Sequence, residues 1–153
     1  MAIHIERCTI DQAPIVFDWV TRLLVELGDE AEDLGRLDET RVLQAWREMG
    51  DRFQAFVAKD ERGSIVGVLT LTETFAIYAN GNYGVIDEMY VAPASRSEGI
   101  GARLVDAVKE YDRERGWTRI DVTAPEDPRW TRSRQFYEKQ GFTFTGPKLK
   151  YPL

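Results

Sequence analysis

The stretch Val91–Ala102, VAPASRSEGIGA, constrains this chain more than any other. An apolar run, Met89-Tyr90-Val91, leads into it. A segment with helical periodicity leads out: Ile100, Leu104, Ala107, Val108 and Tyr111 on one side, and Arg103, Asp106, Lys109, Glu110 and Arg113 on the other. The local order is therefore strand, glycine loop, helix, with the helix expected over residues 98–116 and closed by Gly116. Gly99 and Gly101 remove Cβ atoms where a chain must come close to a ligand. The first amides of a helix lack partners within it. With the positive end of the helix dipole they form an anion site suited to a pyrophosphate. Arg96 adds a fixed positive charge.

The remaining pattern predicts a mixed α/β order. Ile3 and Ile5 alternate with polar residues, so residues 2–7 read as a strand. Asp11 caps a helix carrying Ile15, Val16, Trp19, Val20, Leu23, Leu24 and Leu27, ended by Gly28. A second helix starts near Asp38, carries Val42, Leu43, Trp46 and Met49, and stops at Gly50. Phe53–Lys59 and Ser64–Phe75 read as strands joined by the hairpin turn Asp60-Glu61-Arg62-Gly63. A turn at residues 79–82 precedes the strand Tyr83–Val91. Arg119–Thr123 is a short alternating strand. Residues 129–140 form a last helix closed by Gly141, and Phe142–Pro152 a terminal hairpin turning at Gly146-Pro147. The expected fold class is α/β (α+β): a mixed, mostly antiparallel central sheet flanked by helices. With 153 residues and no repeat or linker, one domain over 1–153 is expected.

Composition removes several function classes. One cysteine, Cys8, excludes an internal disulfide, and one histidine, His4, with it makes no metal-ligand set. Residues 1–10 lack the apolar core of a signal peptide, and no apolar run approaches the ~20 residues of a membrane span. A cytoplasmic location is the expectation. The formal net charge of −6 argues against nucleic acid as the main partner. Acid concentrates between Glu26 and Glu39: Glu26, Asp29, Glu30, Glu32, Asp33, Asp38 and Glu39 against Arg36 alone. Such a cluster reads either as a solvated loop or as a field that attracts a cationic acceptor.

The loop is neither a P-loop, since no Gly-Lys-Ser/Thr follows, nor the GxGxxG fingerprint, since Leu104 stands three past Gly101. Arg96-Ser97-Glu98-Gly99-Ile100-Gly101, after a strand and Pro93, resembles motif A of the GNAT superfamily of acyl-CoA N-acyltransferases. Downstream, Phe136-Tyr137-Glu138-Lys139-Gln140-Gly141-Phe142 resembles the family's aromatic-Tyr-x-x-x-Gly-Phe segment. The likeness covers almost the whole chain. One departure stands out: where the family often has Asn and Ala, seven and four residues before the helix tyrosine, this chain has Trp130 and Ser133.

The resemblance implies an N-acetyltransferase that uses acetyl-CoA as cosubstrate. Met89, Tyr90 and Val91 would pair with the pantetheine arm. The amides of Arg96, Ser97, Glu98, Gly99, Ile100, Gly101 and Ala102 would meet the pyrophosphate, and Ser133 and Tyr137 would face the cofactor. A backbone amide near Met89 or Tyr90 would stabilise the oxyanion. Tyr137 sits where the family's general acid sits. An ammonium has no lone pair, so the amine needs a base. Strand alternation lets only one of Asp87 and Glu88 face the acceptor, and Glu88 is preferred unless a bulge reverses the choice. Glu73 is a third candidate. Glu26, Asp29, Glu73 and Asp87 are the candidate acceptor contacts. The acceptor expected is a small cationic amine; a protein N-terminus or lysine, and a silent acyl-CoA-binding module, are the alternatives. Family analogy implies a homodimer; Phe75 and Tyr78, if exposed, are candidate aromatics either for its interface or for covering the acceptor pocket.

Overall fold

The computed structural model describes residues 2–28, 34–123, 131–146 and 149–153. The chain forms two compact units, Met1–Asp121 and Val122–Leu153. The sheet contains β1 (His4–Arg7), β2 (Phe53–Lys59), β3 (Ile65–Ala76), β4 (Gly81–Val91) and β5 (Ile120–Val122), in that spatial order. β1 to β4 pair antiparallel, each with its sequence neighbour. The helices are α1 (Ala13–Glu26), α2 (Glu39–Met49), α3 (Ile100–Glu114) and α4 (Thr131–Lys139). β5 follows β4 through the α3 crossover. Mixed pairing with flanking helices is thus the architecture. No helix among the described residues is long and apolar enough to cross a membrane.

Alternation in the strands supplies two buried faces. On one, Ala55, Val57, Val68 and Tyr90 pack against Val16 and Trp19 of α1. The Trp19 and Tyr90 rings meet edge to face at 6.0 Å. On the other, Ile100, Leu104, Val105 and Val108 of α3 are fully buried. Close approach there rests on Gly67: a Cβ at that position would lie 3.3 Å from Ile100 Cγ2 and 3.4 Å from Leu104 Cδ1. Burying such side chains contributes about 1.5–3 kcal/mol each.

The β3–β4 register breaks once. Glu88 faces Thr70 and Ile86 faces Leu71, which leaves Asp87 as an extra residue on β4. A bulge therefore exists, and it leaves Asp87 bonded to Thr72 on the same face as Glu88. Glu88 remains opposite Thr70 on the α1 face. Val85, opposite Thr72, joins that face, so it does not share a side with Met89 and Val91 as a regular strand would require.

Several boundaries depart from expectation; α1, for one, starts at Ala13 with no side-chain cap from Asp11. α3 begins at Ile100 rather than residue 98, because Ser97 (φ 69°) and Gly99 (φ 78°) are left-handed and cannot belong to the helix. It ends at Glu114, short of Gly116. Among the described residues the terminal hairpin has no strands: residues 142–146 and 149–153 form none, and Pro147 lies outside the described residues. α4 starts at Thr131, and residues 129–130 also lie outside them. The second expected helix is α2, where Asp38 accepts from the Arg41 amide at 3.2 Å.

One buried acid belongs to the α3 packing. Asp112 is 2% exposed, and neither carboxyl oxygen has a hydrogen-bond partner among the described residues. It lies against Gly84, where a Cβ would sit 2.6 Å from Oδ2. Burial pushes this carboxyl up to about 7, against the pull of Arg115. The folded chain thus holds a proton that the unfolded chain, at the ordinary 3.8, has released. Stability from this group is present at low pH and is lost as pH rises to about 7. Asp112→Asn is therefore expected to melt several degrees above the parent at pH 8 and by a clearly smaller margin at pH 5. Thermal unfolding followed by circular dichroism at the two pH values checks this.

Candidate active site

The bulge delivers Glu88 to a cavity of about 140 Å³ between α1, α2 and the sheet. Val16, Phe17, Val20 and Leu24 of α1 form one wall, and Val42 and Trp46 of α2 another, with Phe53 beside them. Trp46 and Phe53 meet edge to face at 4.8 Å. Thr70 and Glu88 are the polar residues the sheet contributes. Thr70 Oγ1 donates to Glu88 Oε1 and accepts from the Glu88 amide at 3.1 Å. Burial pushes the Glu88 carboxyl above its ordinary 4.5; the Thr70 bond opposes this, and the Asp87 charge adds to it. A carboxylate held this way accepts a proton more readily than one in water.

The other acids are placed elsewhere. Asp87, on the bulge, is exposed and accepts from Thr72 Oγ1. Glu73 lies opposite Gly84, on the sheet face away from Thr70 and Glu88. There it accepts from Asn82 Nδ2 at 2.8 Å and pairs with Arg115 at 3.4 Å. Glu26, at the end of α1, takes both terminal nitrogens of Arg96 at 2.6 Å each. These bonds hold its carboxyl below the usual range. Asp29 lies outside the described residues. The structure therefore sets Glu73 on the opposite face and Glu26 against Arg96, while Asp87 stays beside Glu88, bonded to Thr72 on the same face.

The glycine loop leaves the first turn of α3 without a side-chain cap. Gly99 caps α3 with no side-chain bond, and the first turn holds no acid. The amides of Ile100, Gly101 and Ala102 thus have no partner inside the helix. Ile100 itself points its side chain into the core. Ser97 and Glu98 are exposed. Besides its pairing with Glu26, Arg96 donates from Nε to the Val91 carbonyl at 3.0 Å and lies 5.3 Å from the centre of the Tyr90 ring.

Alternation orients the backbone of the strand before this loop. The Ala92 amide donates to Val66 O at 2.8 Å, so residues 92 and 66 form a hydrogen-bonded pair. Tyr90 and Val68 are the next such pair, which turns the Tyr90 amide toward β3. The amides and carbonyls of Met89 and Val91 point to the opposite edge. β5 has 3 residues against 11 in β4, so it pairs with only a short part of that edge. Of the two amides weighed for an oxyanion, Met89 alone points away from β3.

In the second unit, Tyr137 is buried on α4, between Phe136 and Phe142 at 5.1 and 5.6 Å. Burial pushes its phenol up to about 12. Ser133 stands one turn earlier on the same helix face. Cys8 packs beside the α1 core, and burial pushes its thiol up to about 11, so it stays protonated. Sequence reasoning passed over Thr70. The alternation Thr70, Thr72, Thr74 places all three on the Glu88 face and was the available signal. The roles of Phe17, Trp46 and Phe53 in a common cavity had no local signal, since each reads as ordinary core.

A model of the acetyltransferase (GNAT) family matches residues 18–142. The chain belongs to that family. GNAT relatives of 26–30% identity are spread widely. The uncharacterized N-acetyltransferase YhfO of Bacillus subtilis is 26% identical over 83 residues, 54% of each chain. An uncharacterized N-acetyltransferase of Archaeoglobus fulgidus is 30% identical over 62% of this chain and 63% of its own. The chain thus spans just over half, and under two thirds, of these two proteins. An IAA acetyltransferase of Azospirillum brasilense is 28% identical over 91% of this chain and 86% of its own. Among solved GNAT-fold structures, an aminoglycoside acetyltransferase from an uncultured soil metagenomic sample superposes with a TM-score of 0.82 at 22% identity, covering 100% of this chain and 99% of that one. A predicted acetyltransferase of Clostridium acetobutylicum, solved with acetyl-CoA, gives 0.81 at 18% identity over 99% and 96%.

Proposed function

We propose that this GNAT chain transfers an acetyl group from acetyl-CoA to a primary amine of a small molecule, with Glu88 as base and Tyr137 as acid. The observation that carries the reading is a partly buried carboxylate, its pKa raised, in an apolar cavity on the strand that runs directly into the anion loop. The fold shared with the soil aminoglycoside acetyltransferase supports a small-molecule acceptor.

The residues present fit the cosubstrate. The uncapped start of α3 suits its diphosphate, and the outward groups of Met89 and Val91 suit its pantetheine amides. Acetyl-CoA supplies a thioester carbonyl. Glu88 takes one proton from the incoming ammonium, which frees the lone pair. In a low-dielectric cavity both partners favour this exchange, because burial penalises carboxylate and ammonium alike. The nitrogen then forms its bond to the acyl carbon as the carbon–sulfur bond breaks. The Met89 amide faces the charge on oxygen. Tyr137 gives its proton to sulfur, and the second proton shed by nitrogen restores the phenol. With the phenol pushed up to about 12, its acid form is present throughout the working pH range.

Glu88→Gln is expected to lower kcat by ~10²-fold or more, and Tyr137→Phe by ~10-fold or more, at unchanged acetyl-CoA KM. Thiol release from acetyl-CoA over an amine panel measures both. Unchanged rates would remove the assigned roles. Arg96 presents a second test, because Glu26 already holds its guanidinium. An exposed pair of this kind is worth about 0–1 kcal/mol. Glu26→Gln is therefore expected to lower the acetyl-CoA KM two- to fivefold at low salt, with less effect at ~0.5 M salt. An unchanged KM would mean that the phosphates do not use Arg96.

A further inference from the structure

The cavity beside Glu88 has a composition that the acidic stretch of the sequence does not lead one to expect. Its walls are Phe17, Val20, Leu24, Trp46 and Phe53. Among its described lining residues Glu88 alone carries charge, and the Thr21 hydroxyl is already spent on the Phe17 carbonyl at 2.9 Å. Of the acids that might have drawn a polycation, Glu26 is held by Arg96, Asp38 caps the start of α2 and Asp87 is exposed outside the cavity lining, while Asp29, Glu30, Glu32 and Asp33 lie outside the described residues. Resting on the acetyltransferase reading, we infer that the acceptor is a monoamine carried on one compact apolar group, a single ring or a branched aliphatic chain.

Three physical facts carry this. The first is size. An engineered cavity of about 150 Å³, lined by Leu, Ile and Phe, takes benzene; this one is about 140 Å³. The second is charge. One ammonium finds one carboxylate, whereas further ammonium groups would be buried against apolar walls without partners, which is costly. The third is shape. Trp46 and Phe53 are fixed edge to face, and a ring can stack or abut at their corner in the same geometry. The apolar walls also assist the proton exchange with Glu88, since they exclude the water that would stabilise both charges. A sugar or polyamine acceptor would have to bring that water, or its own polar groups, inside.

The full chain is assayed for thiol release from acetyl-CoA with 2-phenylethylamine, isobutylamine, spermidine and sisomicin. The expected result is a kcat/KM for 2-phenylethylamine at least tenfold above those for spermidine and sisomicin. Higher values for either polycation would overturn the inference while leaving acetyl transfer intact. Val20→Phe fills the cavity without adding polarity. It is expected to raise the KM for 2-phenylethylamine at least tenfold and that for methylamine less than threefold; equal losses for the two amines count against the inference. Should no amine release thiol, titration calorimetry decides. Heat with 2-phenylethylamine and none with spermidine keeps the ligand class and removes only the transfer reading. No heat with 2-phenylethylamine removes both.

Discussion

The extra residue at Asp87 is the constraint on which the site depends. In an uninterrupted strand Ile86 and Tyr90 would share one face of the sheet. Here Ile86 packs with Leu71 on the α3 side, while Tyr90 packs with Trp19 on the α1 side. Both are buried. The bulge reconciles the two halves of β4, at the expense of a ladder position worth about 1 kcal/mol. Burial of two large side chains outweighs that loss. Glu88 follows from the same choice: it lies two residues before Tyr90, on the same face, and so meets Thr70 and the cavity.

Placement, rather than titration, separates the buried acids by role. Asp112 and Glu88 are both raised by burial. Asp112 is packed against Gly84 and is not among the residues lining the Glu88 cavity, so its proton is a matter of stability. Glu88 faces open volume and has a hydroxyl to steady it. Glu73 is buried too, but Asn82 and Arg115 satisfy it.

Much of the fold was legible because it is local. Helices α1 and α2 follow from apolar spacing and the Asp38 cap, and the β2–β3 hairpin from its Asp-Glu-Arg-Gly turn. The antiparallel order then follows from short connections. The glycine loop was legible as chemistry, since uncapped amides need only sequence order to be anticipated. What escaped is non-local. No residue pattern announces that Asp87 will bulge, because the cause lies in the opposing demands of α1 and α3. Within the acidic stretch, charge density is visible in sequence, but the pairing of Glu26 with Arg96, seventy positions on, is not. The C-terminal residues carry turn-forming glycine and proline yet form no hairpin strands where they are described.

The central claim is that the Glu88 carboxylate receives the acceptor's proton. Carboxyl carbon-13 NMR, with glutamate labelled and Glu88 assigned by substitution, observes that group directly. The account predicts a titration midpoint above the ordinary 4.5 and a chemical-shift change at Glu88 on adding a saturating amine. A midpoint at 4.5 with no response to any amine would contradict it.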